Sequence, residues 1–204
     1  MRIAGAVLAG GQGRRMGGLD KPSLELGGRR LIEHALDRLQ PQVTTIAISA
    51  NGDPARYASL GLDILPDDPA YRAGPLAGLA TMLRHFSAQP ELSHIVTVPA
   101  DAPFIPGNLV PRLCAELGHG TEVAVAQSGD RVHPVVGLWP VALLARLEQH
   151  LMRTQKLSIM AFLERIEWQA VAFSPHDGID PFLNVNTPED LAYARSLVAG
   201  RERS

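Results

Sequence analysis

A single cysteine in 204 residues leaves no intramolecular disulfide to form. Cys114 falls in a stretch of helical spacing and reads as a small buried hydrophobe. No C-x-x-C and no Cys/His cluster occurs, so no structural metal site is expected. The formal net charge of −2 argues against a nucleic-acid binder held by bulk electrostatics, and any basic character must be local. There is no signal-like start and no run of about 18 apolar residues. The expectation is a soluble, cytoplasmic protein with no membrane or nucleic-acid partner. Repeats, low-complexity segments and linkers are missing too. One domain over 1–199 is expected, with 200–204 as a frayed tail. No Ser-His-Asp order or nucleophile elbow is evident, which leaves covalent catalysis little support.

What the chain does have is 46% apolar residues, ordinary for a globular protein that buries a sizeable core. It also has a concentrated loop. Leu8 to Lys21 follows the apolar run Ile3–Leu8, of the kind that forms a buried parallel strand. The loop holds five glycines, two arginines and a lysine. Glycines let backbone N–H groups approach phosphate oxygens, and Arg14, Arg15 and Lys21 can neutralise a polyphosphate. The dinucleotide fingerprint fails, because Arg14, Arg15 and Met16 follow Gly11-Gln-Gly13. The P-loop fails as well, since Pro22 separates Lys21 from Ser23. The glycines alone fit an ordinary strand-to-helix turn equally well, and the cations tip the reading towards phosphate.

The rest of the chain alternates. A helical pattern through Leu31, Ala35, Leu36 and Leu39 stops at Pro41, and strands follow at 44–49 and 62–65. Asp53 is a candidate N-cap for a short helix through Leu60. Gly74–Gly78 opens a helix with Pro75 in its first turn, and His94–Val98 is the clearest buried strand. This rhythm predicts an α/β fold, a single-domain Rossmann-like three-layer sandwich with a mostly parallel central sheet. A helix through Leu109, Leu113 and Leu117, strands at 122–126 and 133–138, helices at 141–151 and 158–166 and a strand at 168–173 complete it. Thr187 then caps a last helix through Val198, with Pro188 at its first position. Ligands in such sheets bind beyond the carboxyl ends of strands, and Gly10, Ser49, Asp67 and Asp101 all lie at such ends.

Asp101, between Pro99 and Pro103, suits a Mg²⁺ that bridges nucleotide phosphates; an Asx-turn or helix cap is the alternative. Asp67 and Asp68 belong to ordinary Asp-Asp-Pro turn chemistry, yet an acceptor-only carboxylate there also suits the N1–H and N2–H₂ edge of guanine. Asn184 and Asn186 either hydrogen-bond a polar substrate or a metal-bound water, or are turn residues before a helix. His133 is either a ligand or a turn histidine packed on its strand. His34, His85, His119, His150 and His176 read as solvent-facing or turn residues.

Five motifs in register carry a family resemblance. Leu8-Ala-Gly-Gly11 with Arg15-Met-Gly17 and Lys21 resembles the signature of nucleotidyltransferases with the glycosyltransferase-A-like fold. Gly74–Gly78, Pro99–Pro103, Arg131-Val-His-Pro134 and Asn184–Pro188 narrow it to the molybdenum cofactor guanylyltransferases. The resemblance implies transfer of GMP from GTP to the terminal phosphate of molybdenum-molybdopterin, with Mg²⁺ as cofactor and pyrophosphate as leaving group. It implies a nucleotide half over 1–104 and an acceptor half over 105–199. Leu8, Ala9, Gly10, Gly11, Lys21, Asn51, Asp67 and Asp101 would meet the nucleotide, and Asp101 the metal. Arg15, Lys21 and Asp101 would carry catalysis, and His133, Asn184 and Asn186 would face the acceptor. Cofactor-insertion proteins and recipient molybdoenzymes would be its partners, and the chain would act as a monomer. Departures are Gly13 where relatives often have serine, Ser49 where asparagine is expected, and only a loose basic stretch around Arg153 and Lys156. A cytidylyltransferase for the same cofactor and a non-catalytic cofactor-binding adaptor are the rival readings.

Overall fold

The computed structural model of the chain describes residues 1–10, 21–71, 74–118, 120–153 and 158–201. The strands are β1 (Ile3–Leu8), β2 (Glu25–Leu26), β3 (Arg29–Arg30), β4 (Thr45–Ser49), β5 (Asp63–Leu65), β6 (His94–Pro99), β7 (Val123–Ser128), β8 (Arg131–Pro140) and β9 (Trp168–Ala172). The helices are α1 (Leu31–Leu39), α2 (Pro75–Ser87), α3 (Leu109–Ala115), α4 (Leu144–Arg153), α5 (Ile159–Leu163) and α6 (Pro188–Arg201).

Seven strands form one sheet in the order β5-β4-β1-β6-β8-β7-β9, and β8 alone runs against its neighbours. Side chains of β1 alternate between the two faces, as the pleat requires. Ile3 and Val7 join Ile32, Leu36 and Leu39 of α1 and Leu109 and Leu113 of α3 in one apolar layer. Ala4, Ala6 and Leu8 join Leu76, Leu79 and Leu83 of α2, Leu147 of α4 and Phe162 of α5 in the other. Helices therefore cover both faces, giving the expected three-layer α/β sandwich. Gly5 is required where α1 presses on the sheet, because a Cβ there would lie 2.9 Å from Ile46 Cγ1 and 3.0 Å from Leu39 Cδ2.

Local chemistry sets the boundaries. Asp53 accepts the Ala55 N–H at 2.9 Å and caps a 3-10 helix at Pro54–Leu60. Thr187 Oγ1 accepts the Asp190 N–H at 3.1 Å, and Asp190 accepts the Thr187 N–H at 2.9 Å, a reciprocal capping box for α6. The buried indole of Trp139 donates to Thr97 Oγ1 at 2.9 Å, and that hydroxyl donates to the Val135 carbonyl at 2.7 Å. The polar residue in β6 thus satisfies a polar atom inside the core. Cys114 is half-buried in α3 and packs against the first layer.

Two features differ from expectation. Gly27 and Gly28, at φ +58° and +75°, turn β2 into β3 as a small hairpin that the sequence pattern left unassigned. His150, expected at the surface, is 6% exposed and lies 5.3 Å from the Phe162 ring. It shares its helix face with Leu147 and Leu151, so three- and four-residue spacing carries it inwards. Among the described residues no helix is long and apolar enough to cross a membrane.

Candidate active site

In the sheet, β1 stands between β4, reached through α1, and β6, reached through α2. The chain therefore leaves β1 on one side and returns on the other, a switch point of the kind beyond whose strand carboxyl ends ligands bind in open α/β sheets. The ladder closes just short of it. Ala9 N–H donates to the Ser49 carbonyl at 2.8 Å, and the Leu8 carbonyl accepts the Ala100 N–H at 3.1 Å. Those main-chain groups of Leu8 and Ala9 are engaged in the sheet. Gly10 is the first exposed residue of the loop, and a Cβ built on it would meet no described residue within 4 Å. Gly11, Gly13 and Arg15 lie outside the described residues, as does the side chain of Lys21, whose backbone opens a 3-10 turn at Lys21–Ser23.

Asp67 is held from the carboxyl end of β4 and the turn that follows it. Ser49 Oγ, at the buried end of β4, donates to its Oδ1 at 2.9 Å. Asn51 Nδ2 donates to Oδ2 at 2.8 Å while Asn51 Oδ1 accepts the Asp67 N–H at 2.9 Å. Both polar ends of the Asn51 amide are thus turned to Asp67, so Asn51 orients this carboxylate. Each carboxylate oxygen accepts one of these bonds and has room for a second, which leaves a two-acceptor edge for a ligand with two adjacent donors. Gly78 of α2 permits the approach: a Cβ there would stand 3.0 Å from Ser49 Oγ and 3.5 Å from Asp67 Oδ1.

Asp101 lies half-buried just beyond β6, and its carbonyl accepts the Val185 N–H at 2.9 Å. That bond joins the Asp101 turn to the Asn184–Asn186 loop. Val185 is fully buried with Leu26, Leu31, Leu191 and Ala194, and Phe104 packs against the same cluster. Beside it, Asn184 Oδ1 is buried without a hydrogen-bond partner among the described residues. A buried acceptor left unsatisfied costs about 1–3 kcal/mol, so an incoming donor or cation gains by meeting it. Asn186 differs in its main chain, for its N–H is held by Asp190 at 2.9 Å. The α6 N-terminus is thereby closed by its own carboxylate.

His133, near the start of β8, lies at the same edge of the sheet but is 5% exposed. Its Nε2 lies 2.7 Å from Ser128 Oγ across the hairpin, and its ring is 4.9 Å from that of Phe182. Burial lowers its pKa, with Asp180 opposing and Arg131 adding to the shift. His133 braces the loop that carries Asn184 from behind. The structure thus brings Gly10, Ser49, Asn51, Asp67 and Asp101 to the strand ends and ties Asn184 to Asp101.

Residues 5–193 match the MobA-like NTP transferase domain. The chain belongs to this family. It is 49% identical over 198 residues to the molybdenum cofactor guanylyltransferase of Cereibacter sphaeroides, covering 97% of this chain and 98% of that one. A Bradyrhizobium protein of the same name is 43% identical over 203 residues, with 98% and 95% covered. The fold matches the crystal structure of molybdopterin-guanine dinucleotide biosynthesis protein A from Archaeoglobus fulgidus at a TM-score of 0.76, with 24% identity and 97% and 99% covered. The motifs quoted from the sequence therefore point to the family that is found.

Near the candidate site lie side chains that sequence reasoning passed over. Arg84 of α2 and Glu148 of α4 meet beside the Asp67-Asp68 turn, with Glu148 Oε1 2.8 Å from Arg84 Nη2. No spacing signal joins them, because they come from helices far apart in the chain. Ser128 was read only as a turn residue, yet it fixes His133.

Proposed function

We propose that this chain transfers GMP from GTP to the terminal phosphate of molybdenum-molybdopterin, forming the molybdopterin guanine dinucleotide cofactor and releasing pyrophosphate. The observation that carries this reading is its 49% identity to a protein named for guanylyl transfer, over almost the full length of both chains. The held two-acceptor edge of Asp67 supports guanine, whose N1–H and N2–H₂ are adjacent donors. Cytosine offers only its amino group beside an acceptor ring nitrogen.

The chemistry asks for alignment more than for proton transfer. An acceptor phosphate oxygen is already an anionic nucleophile, so in-line attack on the α-phosphorus needs no strong general base. The glycine loop would receive the phosphates, Arg15 and Lys21 would balance the departing pyrophosphate, and Asn184 would position the acceptor. Asp101 fits a hard cation. Magnesium takes one or two protein carboxylates and completes its shell with phosphate oxygens and water. Asn184 Oδ1, on the loop bonded to the Asp101 carbonyl, is a further oxygen available to the ion or its water. When bound, Mg²⁺ would neutralise charge on the phosphates in the transition state.

Pyrophosphate release with each of the four nucleoside triphosphates, with and without molybdenum-molybdopterin, tests the reading. GTP-selective, pterin-dependent release is expected. Selectivity for CTP would replace guanylyl by cytidylyl transfer, and no release with any pair would favour a cofactor-binding adaptor.

A further inference from the structure

The turn that presents Asp67 is held against α2 at three levels. Gly78 lets the helix backbone close under Ser49 and Asp67. One turn on, Thr81 Oγ1 accepts the Asp68 N–H at 3.4 Å. A further turn on, the Arg84 guanidinium closes the far side. Its Nη1 donates to Asp68 Oδ2, and its Nη2 donates to the Tyr71 hydroxyl at 2.6 Å. Nε and Nη2 together donate to Glu148 Oε1 at 3.3 and 2.8 Å, which fixes the guanidinium from α4. The cation also lies 5.5 Å from the centroid of the Tyr71 ring. Asp68 Oδ1 accepts the Ala70 N–H at 2.8 Å, so the turn between the two arginine contacts is itself closed.

We propose that Arg84 is a positioning residue for base selection: by gripping Asp68 and Tyr71 it sets the turn so that the Asp67 carboxylate meets both donors of guanine. The proposal rests on the reading of Asp67 as the base acceptor. A planar fork with five N–H donors can hold three acceptors at once, which an ammonium cannot do with the same geometry. The site is 28–45% exposed at the paired side chains, where ion pairs add little to global stability. Loss of the grip should therefore appear in nucleotide recognition and hardly in folding. Glu148 also brings a helix of the C-terminal half to bear on the nucleotide turn.

The test uses the full chain with Mg²⁺ and molybdenum-molybdopterin and compares GTP with ITP, which lacks only the 2-amino group. For Arg84→Ala the KM for GTP is expected to rise about tenfold with kcat within about twofold. The GTP-over-ITP preference in kcat/KM is expected to fall at least about fivefold, because a displaced carboxylate loses one of its two contacts. Arg84→Lys is expected to fall between wild type and Arg84→Ala, since it can keep the Asp68 contact but not the fork. An unchanged KM and preference in Arg84→Ala would overturn the proposal, as would an equal loss with both nucleotides. A wild-type protein that uses ITP as readily as GTP would overturn the Asp67 reading and the proposal with it, whereas GTP selectivity with an indifferent Arg84 would overturn the proposal alone.

Discussion

Val185 donates its backbone N–H to the carbonyl of Asp101 at 2.9 Å, so the Asn184–Asn186 loop and the Asp101 turn meet through main-chain atoms. Any side chain at position 101 keeps that bond. Substitution can therefore change the carboxylate proposed to hold the metal while keeping this main-chain bond.

Asp101→Ala should leave the fold intact and lower transfer by at least about 100-fold, the scale seen when a group that stabilises transition-state charge is removed. Pyrophosphate release and thermal melting, measured on one preparation, check both halves. Full activity in a folded Asp101→Ala protein would remove Asp101 from the proposed metal site.

Asn184→Ala should separate function from stability in the same loop. Its Oδ1 is buried and lacks a hydrogen-bond partner among the described residues, so removing it breaks no hydrogen bond to any of them. Deleting it should leave the melting temperature unchanged or raise stability by up to about 1 kcal/mol. Transfer to the pterin should fall at least about tenfold at an unchanged KM for GTP. A large fall in melting temperature would show that the side chain is structural.

Much of this arrangement was legible because local and long-range signals agree. The run Ile3–Leu8 is apolar throughout since it is buried on both faces, and Thr187-Pro188 states the start of α6 in chemistry that needs no tertiary partner. The strand-end rule places Gly10, Ser49, Asp67 and Asp101 at one edge from the sequence pattern alone. What stayed hidden depends on contacts between distant segments. That Asn51 holds Asp67 with both ends of its amide shows only once the two turns are brought together. His150 reads as polar surface until α4 turns it towards Phe162. The pairing of Arg84 with Glu148 exists only once α2 and α4 lie side by side.

Gly78→Ala sets helix propensity against the site. In a helix interior this change ordinarily gains about 0.5–1 kcal/mol. Here the new Cβ would lie 3.0 Å from Ser49 Oγ, and the hydroxyl that must yield is the one that holds Asp67. Losing that buried hydrogen bond costs about 1 kcal/mol, so net stability should barely move. The KM for GTP should rise about tenfold as Asp67 loses its support. Adding Ser49→Ala makes room, so the double variant should be more stable than Ser49→Ala alone. A double-mutant cycle of melting free energies reads the coupling directly, and strict additivity would mean that the two residues do not touch.

The buried His133 should leave a mark on stability as a function of pH. Burial lowers its pKa in the folded state below the ordinary value near 6.5. As the pH falls through about 6.5 the unfolded chain takes up a proton that the folded chain does not. Stability therefore declines as pH drops from the unfolded pKa towards the lowered folded one, and this contribution levels off below it. His94 is shifted the same way by burial and adds to the slope. In His133→Gln the amide can still reach Ser128 but does not titrate, so denaturation midpoints between about pH 6.5 and 5 should fall less steeply than in the wild type. Identical slopes would mean that the folded protein protonates His133 as readily as the unfolded chain does.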